Sequence, residues 1–163
     1  VNRLHQLRND PPGIAAQVLI GKARTLSGLA QGLTAGVSKL AEEFWPGLLT
    51  FNLPQNQSLS WDLGDGGHLK NFAVRMPNQI QTLEVLNATG PLAIASATLA
   101  GEGSIRTAMN PHDLELLDIG ELESGPLSTV VVQTGEKLLL SRVGAITLED
   151  LRKVDSAIEE AKE

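Results

Sequence analysis

The chain has 163 residues, enough for one domain with a sizeable core, and its 42% hydrophobic and 20% charged content is that of an ordinary globular protein. It contains no cysteine, which excludes disulfides and thiolate zinc sites and fits a cytoplasmic setting, and no apolar run approaches the ~20 residues of a membrane span. With 13 basic against 19 acidic residues the net charge is -6, so any nucleic-acid contact must come from a local basic patch rather than from the chain as a whole.

Val1 to Leu7 reads as a helix end with Val1, Leu4 and Leu7 on one face, stopped by Arg8-Asn9-Asp10-Pro11-Pro12-Gly13. Gln17 to Gly21 is a short buried strand, and Thr25 to Leu33 a short helix. Thr34 is a natural N-cap for a second helix whose apolar stripe is Val37, Leu40, Ala41 and Phe44, ended by Pro46-Gly47. Leu48 to Leu53 is strand-like, and a long polar loop from Pro54 to Leu69 surrounds Trp61-Asp62-Leu63-Gly64-Asp65-Gly66-Gly67-His68. Phe72 to Met76 is a strand closed by Pro77, after which Asn78 is positioned to cap a helix to about Ala88.

The stretch from Gly90 to Ser104 opens on a turn, continues as an apolar run of strand length, and ends in small, polar and glycine residues. A buried strand opening into a Gly/Ser/Thr loop delivers polar groups to a crevice in many α/β proteins. Pro111 to Leu117 reads as a short helix and Gly120 to Pro126 as a loop. Ser128 to Val132 is strongly β-prone and pairs with Leu138 to Leu140 across Thr134-Gly135-Glu136. Thr147 caps a last helix, Leu148 to about Ala161, with Glu149 and Asp150 in its first turn. Helices alternating with strands imply a layered α/β domain.

Several stretches, in order, resemble the YrdC-like family of threonylcarbamoyl-adenylate synthases. They are Glu43-Phe44-Trp45-Pro46-Gly47 with Leu49-Thr50; Val74-Arg75-Met76-Pro77; Gly90-Pro91-Leu92-Ala93 through Ser96-Ala97 to Gly101; Ser128-Thr129-Val130-Val131; and Arg142-Val143-Gly144-Ala145-Ile146. The Trp61-Asp62-Leu63-Gly64 loop is similar to that of some actinobacterial members.

The resemblance implies a twisted mixed α/β sheet with flanking helices around a concave, positively lined cavity. It implies a nucleotidyltransferase reaction, on the path to a modified adenosine in tRNA, in which bicarbonate, L-threonine and magnesium-bound ATP give threonylcarbamoyl-AMP and pyrophosphate. It assigns Arg75 and Thr50 to the threonine substrate, Arg142 to the nucleotide, and Ser96 and Ser128 to phosphate or ribose. Trp45 is expected in the core, and His5, His68 and His112 have no ligand spacing. Asp62 and Asp65 fit a solvated Gly/Asp turn.

The chain also departs from the family pattern. Active members carry an N-terminal strand and a Pro-Thr-Asp-Thr loop that nothing here matches, so residues 1–147 are expected to form an N-terminally incomplete YrdC-like domain, followed by a C-terminal helix over 148–163. The lysine-x-arginine clamp for the triphosphate reads Arg8-Asn9-Asp10, where Asp10 reverses a charge and would oppose the triphosphate. The family's Ser-x-Asn reads Ser96-Ala97-Thr98, and an expected aspartate after the Ser-Thr-Val-Val strand is Val132-Gln133. These departures set a second expectation beside the first: a degenerate paralogue that holds nucleotide, or double-stranded RNA or tRNA, without turnover. RNA binding would require Lys22, Arg24, Lys70, Arg75 and Arg106 to converge on one face. A third is an interaction role as a homodimer.

Overall fold

Alternation of apolar and polar residues sets up the sheet. Period-two burial runs through the strands of the computed structural model, which describes residues 1–68, 70–99 and 114–161. The strands are β1 (Gln17–Leu19), β2 (Leu49–Pro54), β3 (Asn71–Arg75), β4 (Leu92–Ile94), β5 (Thr129–Thr134), β6 (Lys137–Arg142) and β7 (Glu159–Glu160). They form one seven-stranded mixed sheet in the order β4-β1-β3-β2-β5-β6-β7. Pairs β1/β3, β2/β5 and β6/β7 are parallel, while β1/β4, β2/β3 and β5/β6 are antiparallel.

One face of the sheet carries Val18, Ile20, Phe51, Leu53, Phe72, Val74, Val131, Leu138 and Leu140, all buried. Against it pack α2 (Leu26–Leu29), α3 (Ala35–Phe44) and α5 (Leu148–Val154), through Leu26, Leu29, Val37, Leu40, Ala41 and Leu151. Each fully buried Phe or Leu in this layer contributes about 1.5–3 kcal/mol of transfer free energy. Helix α3 starts where its cap predicts, with the Val37 amide donating to Thr34 Oγ1. Trp45 belongs to the core, as expected: it is 8% exposed, packs edge-on to Phe51 and donates from Nε1 to the Leu49 carbonyl at 2.7 Å.

The other face of the sheet has no such layer from α2, α3 or α5. By strand alternation it presents Gln17 and Leu19 of β1, Ala73 and Arg75 of β3, Thr50 and Asn52 of β2, and Val130 and Val132 of β5. Helices α1 (Asn2–Arg8) and α4 (Ile80–Thr89) complete the fold.

Several boundaries differ from expectation. The last helix ends at Val154, not near Ala161: Asp155 terminates it, Oδ1 of that residue accepts the Ala157 amide, and Glu159–Glu160 then joins the sheet beside Leu139 and Leu140. Residues 162–163 lie outside the described residues. Helix α4 is capped by Gln79, whose side chain accepts from the Thr82 amide, in place of Asn78. The Thr25–Leu33 helix is reduced to a 3-10 turn, Ala23–Thr25, and the single turn of α2. Strand β4 is an edge strand with Leu92 37% exposed, not a buried one, because among the described residues only β1 pairs with it. Leu114–Leu117 is irregular rather than helical, while Ala100 to Asp113, including Gly101, Ser104 and Arg106, lies outside the described residues.

Candidate anion-binding site

The end of β3 brings Arg75 to the open face, one residue after Val74 turns into the core. It lies beside Leu19 of β1, and Thr50 precedes Phe51, the β2 partner of Val74. On the other side of Thr50, Val130 of β5 pairs with Arg142 of β6. Two arginines are thus gathered across four neighbouring strands.

A hydrogen-bonded chain fixes this end of the sheet. Thr50 Oγ1 donates to Ser128 Oγ at 2.9 Å, and Arg142 Nη2 donates to the same oxygen at 3.0 Å. Arg142 also donates to the Ser128 carbonyl, from Nε at 3.2 Å and Nη2 at 2.9 Å. Ser128 Oγ is thus shared between the Thr50 hydroxyl and the Arg142 guanidinium. Gly144 closes the arrangement, because a Cβ there would sit 2.3 Å from the Leu127 carbonyl oxygen and 2.5 Å from the Ser128 carbonyl carbon.

No carboxylate pairs with Arg75 or Arg142 among the described residues. Arg75 is half-buried and its Nε has no partner among the described residues. Burial, and then the positive charge of Arg142, lower the pKa of the Arg75 guanidinium from its ordinary value. Two like charges held on one face without a counter-ion among the described residues are suited to receiving an anion, a carboxylate or a phosphate oxygen.

Arg8, Ser96 and Thr98 form a second cluster around the first helix. Arg8 Nη1 donates to the backbone carbonyls of Ser96 and Thr98, each at 2.7 Å. Its Nε lies 3.1 Å from both carboxylate oxygens of Asp10. The other side of Asp10 faces His5 Nδ1 at 3.0 Å, and His5 Nε2 faces the Leu63 carbonyl at 3.1 Å. Burial by itself raises the Asp10 carboxyl, but hydrogen bonds from His5 and Arg8, and the Arg8 charge, outweigh it and hold the group below its ordinary value. His5, Arg8, Asp10, Gln17, Ile94 and Ser96 line an open cavity of about 430 Å³.

Of the residues singled out in the sequence, then, Thr50, Arg75, Ser128 and Arg142 come together. Arg8, Ser96 and Thr98 also come together, through the carbonyls of the latter two rather than their hydroxyls. Lys22 and Arg24 line a separate pocket of about 180 Å³ with Asn87 and Gly90, and Arg106 lies outside the described residues. Asp62 turns inward on its own loop, accepting the Gly64 and Gly66 amides at 2.8 and 3.2 Å. Two polar residues of the open face, Gln17 and Asn52, were not singled out. Their only signal was a polar side chain inside a β-prone run.

The Sua5/YciO/YrdC family model, described as telomere recombination, matches residues 1–144. The chain belongs to this family. A Mycobacterium tuberculosis relative is 33% identical over 143 residues, covering 84% of this chain and 65% of the relative. The threonylcarbamoyl-AMP synthase of Pyrococcus abyssi is 30% identical over 161 residues, covering 94% of this chain and 47% of that protein. The chain thus spans less than two thirds of the length of the curated relatives it matches. Among solved structures, P. abyssi Sua5 complexed with L-threonine superposes with a TM-score of 0.86 at 29% identity, covering 98% of this chain and 48% of that one. Escherichia coli YciO shares the fold, with a TM-score of 0.70 at 19% identity over 92% of this chain and 75% of the other.

In this YrdC-like domain, the acidic residue standing where the resemblance places an arginine is not left opposing an anion. Asp10 is instead the counter-ion of Arg8. Sequence order alone gave Asp10 a charge but no partner, and the turn after α1, with Asn9 at φ 55, is what folds it back onto Arg8 and His5.

Proposed function

We propose that this chain carries a threonylcarbamoyl-AMP synthase domain that acts on L-threonine, bicarbonate and magnesium-bound ATP in the cytoplasm, supplying a tRNA adenosine modification. The observation that carries the reading is the pair Arg75 and Arg142, gathered without a counter-ion among the described residues on the open face beside Thr50 and Ser128. In this reading Arg75 takes the threonine carboxylate and Arg142, with Ser128 Oγ, takes the nucleotide. The threonine amine adds to bicarbonate with loss of water, giving a carbamate. A carbamate oxygen then forms a bond to the α-phosphorus of ATP, and the bond from that phosphorus to the pyrophosphate bridging oxygen breaks. Fixed cations offset charge as two anions approach and pyrophosphate leaves. No covalent nucleophile is required. Magnesium enters with ATP as substrate, and among the described residues no cluster of His, Asp or Glu is suited to hold a resident ion.

A second reading is favoured by one observation: Arg8 is neutralised by Asp10 and its Nη1 is committed to two carbonyls, which removes a cation from the triphosphate end. Here the domain binds nucleotide, or a structured RNA such as tRNA, without turnover. Pyrophosphate release from ATP, measured with and without L-threonine and bicarbonate, separates the two. Release that depends on both supports the synthase. ATP binding by calorimetry with no release supports the second reading, and neither ATP binding nor release removes the synthase and leaves of the second reading only RNA binding, which a tRNA gel-shift tests.

A further inference from the structure

Two surfaces away from the candidate anion site match each other in polarity and charge. The first is the segment that leads into β5. From Leu116 to Leu127 it is irregular, and it leaves Leu116 54%, Leu117 63% and Leu127 61% exposed, with Ile119 exposed as well. Large apolar side chains gathered on one exposed segment mark a contact surface. Glu115, Asp118 and Glu123 are interleaved with them, and no Lys, Arg or His occurs between residues 114 and 136.

The second surface lies on the helical side of the sheet. Ala23, Leu26, Leu33 and Ala41 line an open groove of about 410 Å³ between α2 and α3, together with Arg24 and Glu42. Arg24 also lines the adjoining pocket of about 180 Å³, with Lys22, Thr25 and Asn87. Neither cation has a carboxylate partner among the described residues. Residues 11–41 hold Lys22, Arg24 and Lys39 but no Asp or Glu, so a chain of net charge -6 keeps its charges apart along the sequence. Glu42 lines the groove and not the small pocket, which gives the surface a polarity: apolar side chains fit the groove, and carboxylates fit the Lys22 and Arg24 end.

We propose that the groove between α2 and α3 receives the Leu116–Leu117 stretch of a second copy of this chain, with Glu115 and Asp118 of that copy set against Lys22 and Arg24. Both halves of the match are on one chain, which singles out a second copy as the occupant. Glu115 and Asp118 bracket the two leucines, so each carboxylate lies within about 7 Å of a leucine along extended chain, and the groove and the basic pocket meet at Arg24. One short segment covers much less than the ~1,600 Å² of a standard interface, but two copies related by a two-fold axis insert reciprocally and make the contact twice. None of these residues belongs to the candidate anion site, so the association stands or falls apart from the synthase reading.

The test is light scattering behind size exclusion across a concentration series, at low and at raised salt. The wild-type chain is expected to move from 17.3 kDa toward twice that mass as concentration rises, and to dissociate more readily in high salt. Three double variants follow, all at exposed positions where the fold is not at risk. Leu116→Ser with Leu117→Ser removes the apolar insert. Lys22→Glu with Arg24→Glu makes the receiving end acidic, and Glu115→Lys with Asp118→Lys makes the segment basic. Each is expected to raise the dimer dissociation constant by about tenfold or more, because like charges meet or apolar burial is lost at both contacts. The two charge-reversed variants, mixed one to one, are expected to recover the dimer, since each then offers the segment that the other's groove takes. A wild-type chain that stays monomeric throughout the series overturns the proposal. A dimer that survives either the leucine change or the charge reversals overturns it too, by placing the interface elsewhere. So does a mixture that stays monomeric, because the two charged ends then do not face each other.

Discussion

Replacing Arg75 by Met separates holding the fold from holding a ligand. The guanidinium is half-buried, its Nε is unpartnered among the described residues and it feels the like charge of Arg142. Met keeps the apolar stem and removes the orphan donor. An unsatisfied buried donor costs about 1–3 kcal/mol, and partial exposure reduces this to roughly 1 kcal/mol here. The variant is therefore expected to be more stable by roughly 1 kcal/mol, a rise of about 2–4 °C in melting temperature for a chain of this size. Urea unfolding checks the sign, with the midpoint rising and the slope unchanged. The same variant is expected to lose stabilisation by L-threonine in a thermal-shift assay. This opposition between stability and binding is the signature of a residue retained for a ligand. A loss of more than about 1 kcal/mol on unfolding would refute the reasoning, because it would mean that Arg75 holds the sheet together.

Gly144→Ala is expected to destabilise by at least about 2 kcal/mol, since its Cβ would meet three backbone atoms at 2.3, 2.5 and 2.6 Å, and to weaken anion binding by displacing Ser128; urea unfolding and phosphate titration read the two effects. Gly64→Ala combines a φ of +96° with a Cβ 2.1 Å from His5 Nε2, and a loss of over about 1 kcal/mol is expected in a melt, with His5→Ala in the double variant recovering only the steric part. The Asp10 carboxyl is held below its ordinary value, so its contribution to stability is present above that ordinary value and lost as the pH falls through the lower folded value. Unfolding midpoints of wild type and Asp10→Asn are accordingly expected to converge as pH falls below about 4.

The parts of the fold set by local chemistry were legible in the sequence. Thr34 and Thr147 supply side-chain oxygens at two helix starts, and the structure uses both. Val130, Val131 and Val132 with Leu138 to Leu140 gave the β5/β6 hairpin, and Gly135 at φ 59 closes its turn. What failed was decided by long-range pairing. Nothing in Glu159-Glu160 resembles a strand, yet β6 offers an unpaired edge and those two residues take it. The site divides the same way. The resemblance singled out Arg75, Arg142, Thr50 and Ser128, whereas Asn52 and Gln17 needed the register across β3 before they could be read as neighbours of Arg75.

The distribution of charge separates two tasks that a synthase must combine. Taking a carboxylate requires a cation with a directional donor, and in the proposed reading Arg75, which has no carboxylate partner among the described residues, would supply it. Holding a triphosphate requires several cations at once. Here Arg142 is already fixed by Ser128, and Arg8 would have to leave Asp10 and the Ser96 and Thr98 carbonyls before it could reach a phosphate. Those bonds also tie α1 to the segment after β4, and His5 ties the same carboxylate to the loop at Leu63. Recruiting Arg8 to a phosphate would thus loosen three parts of the fold together. In the proposed reading, amino-acid recognition sits on the sheet, whereas triphosphate recognition through Arg8 would need rearrangement at its edge. The two functions are accordingly expected to respond to different substitutions.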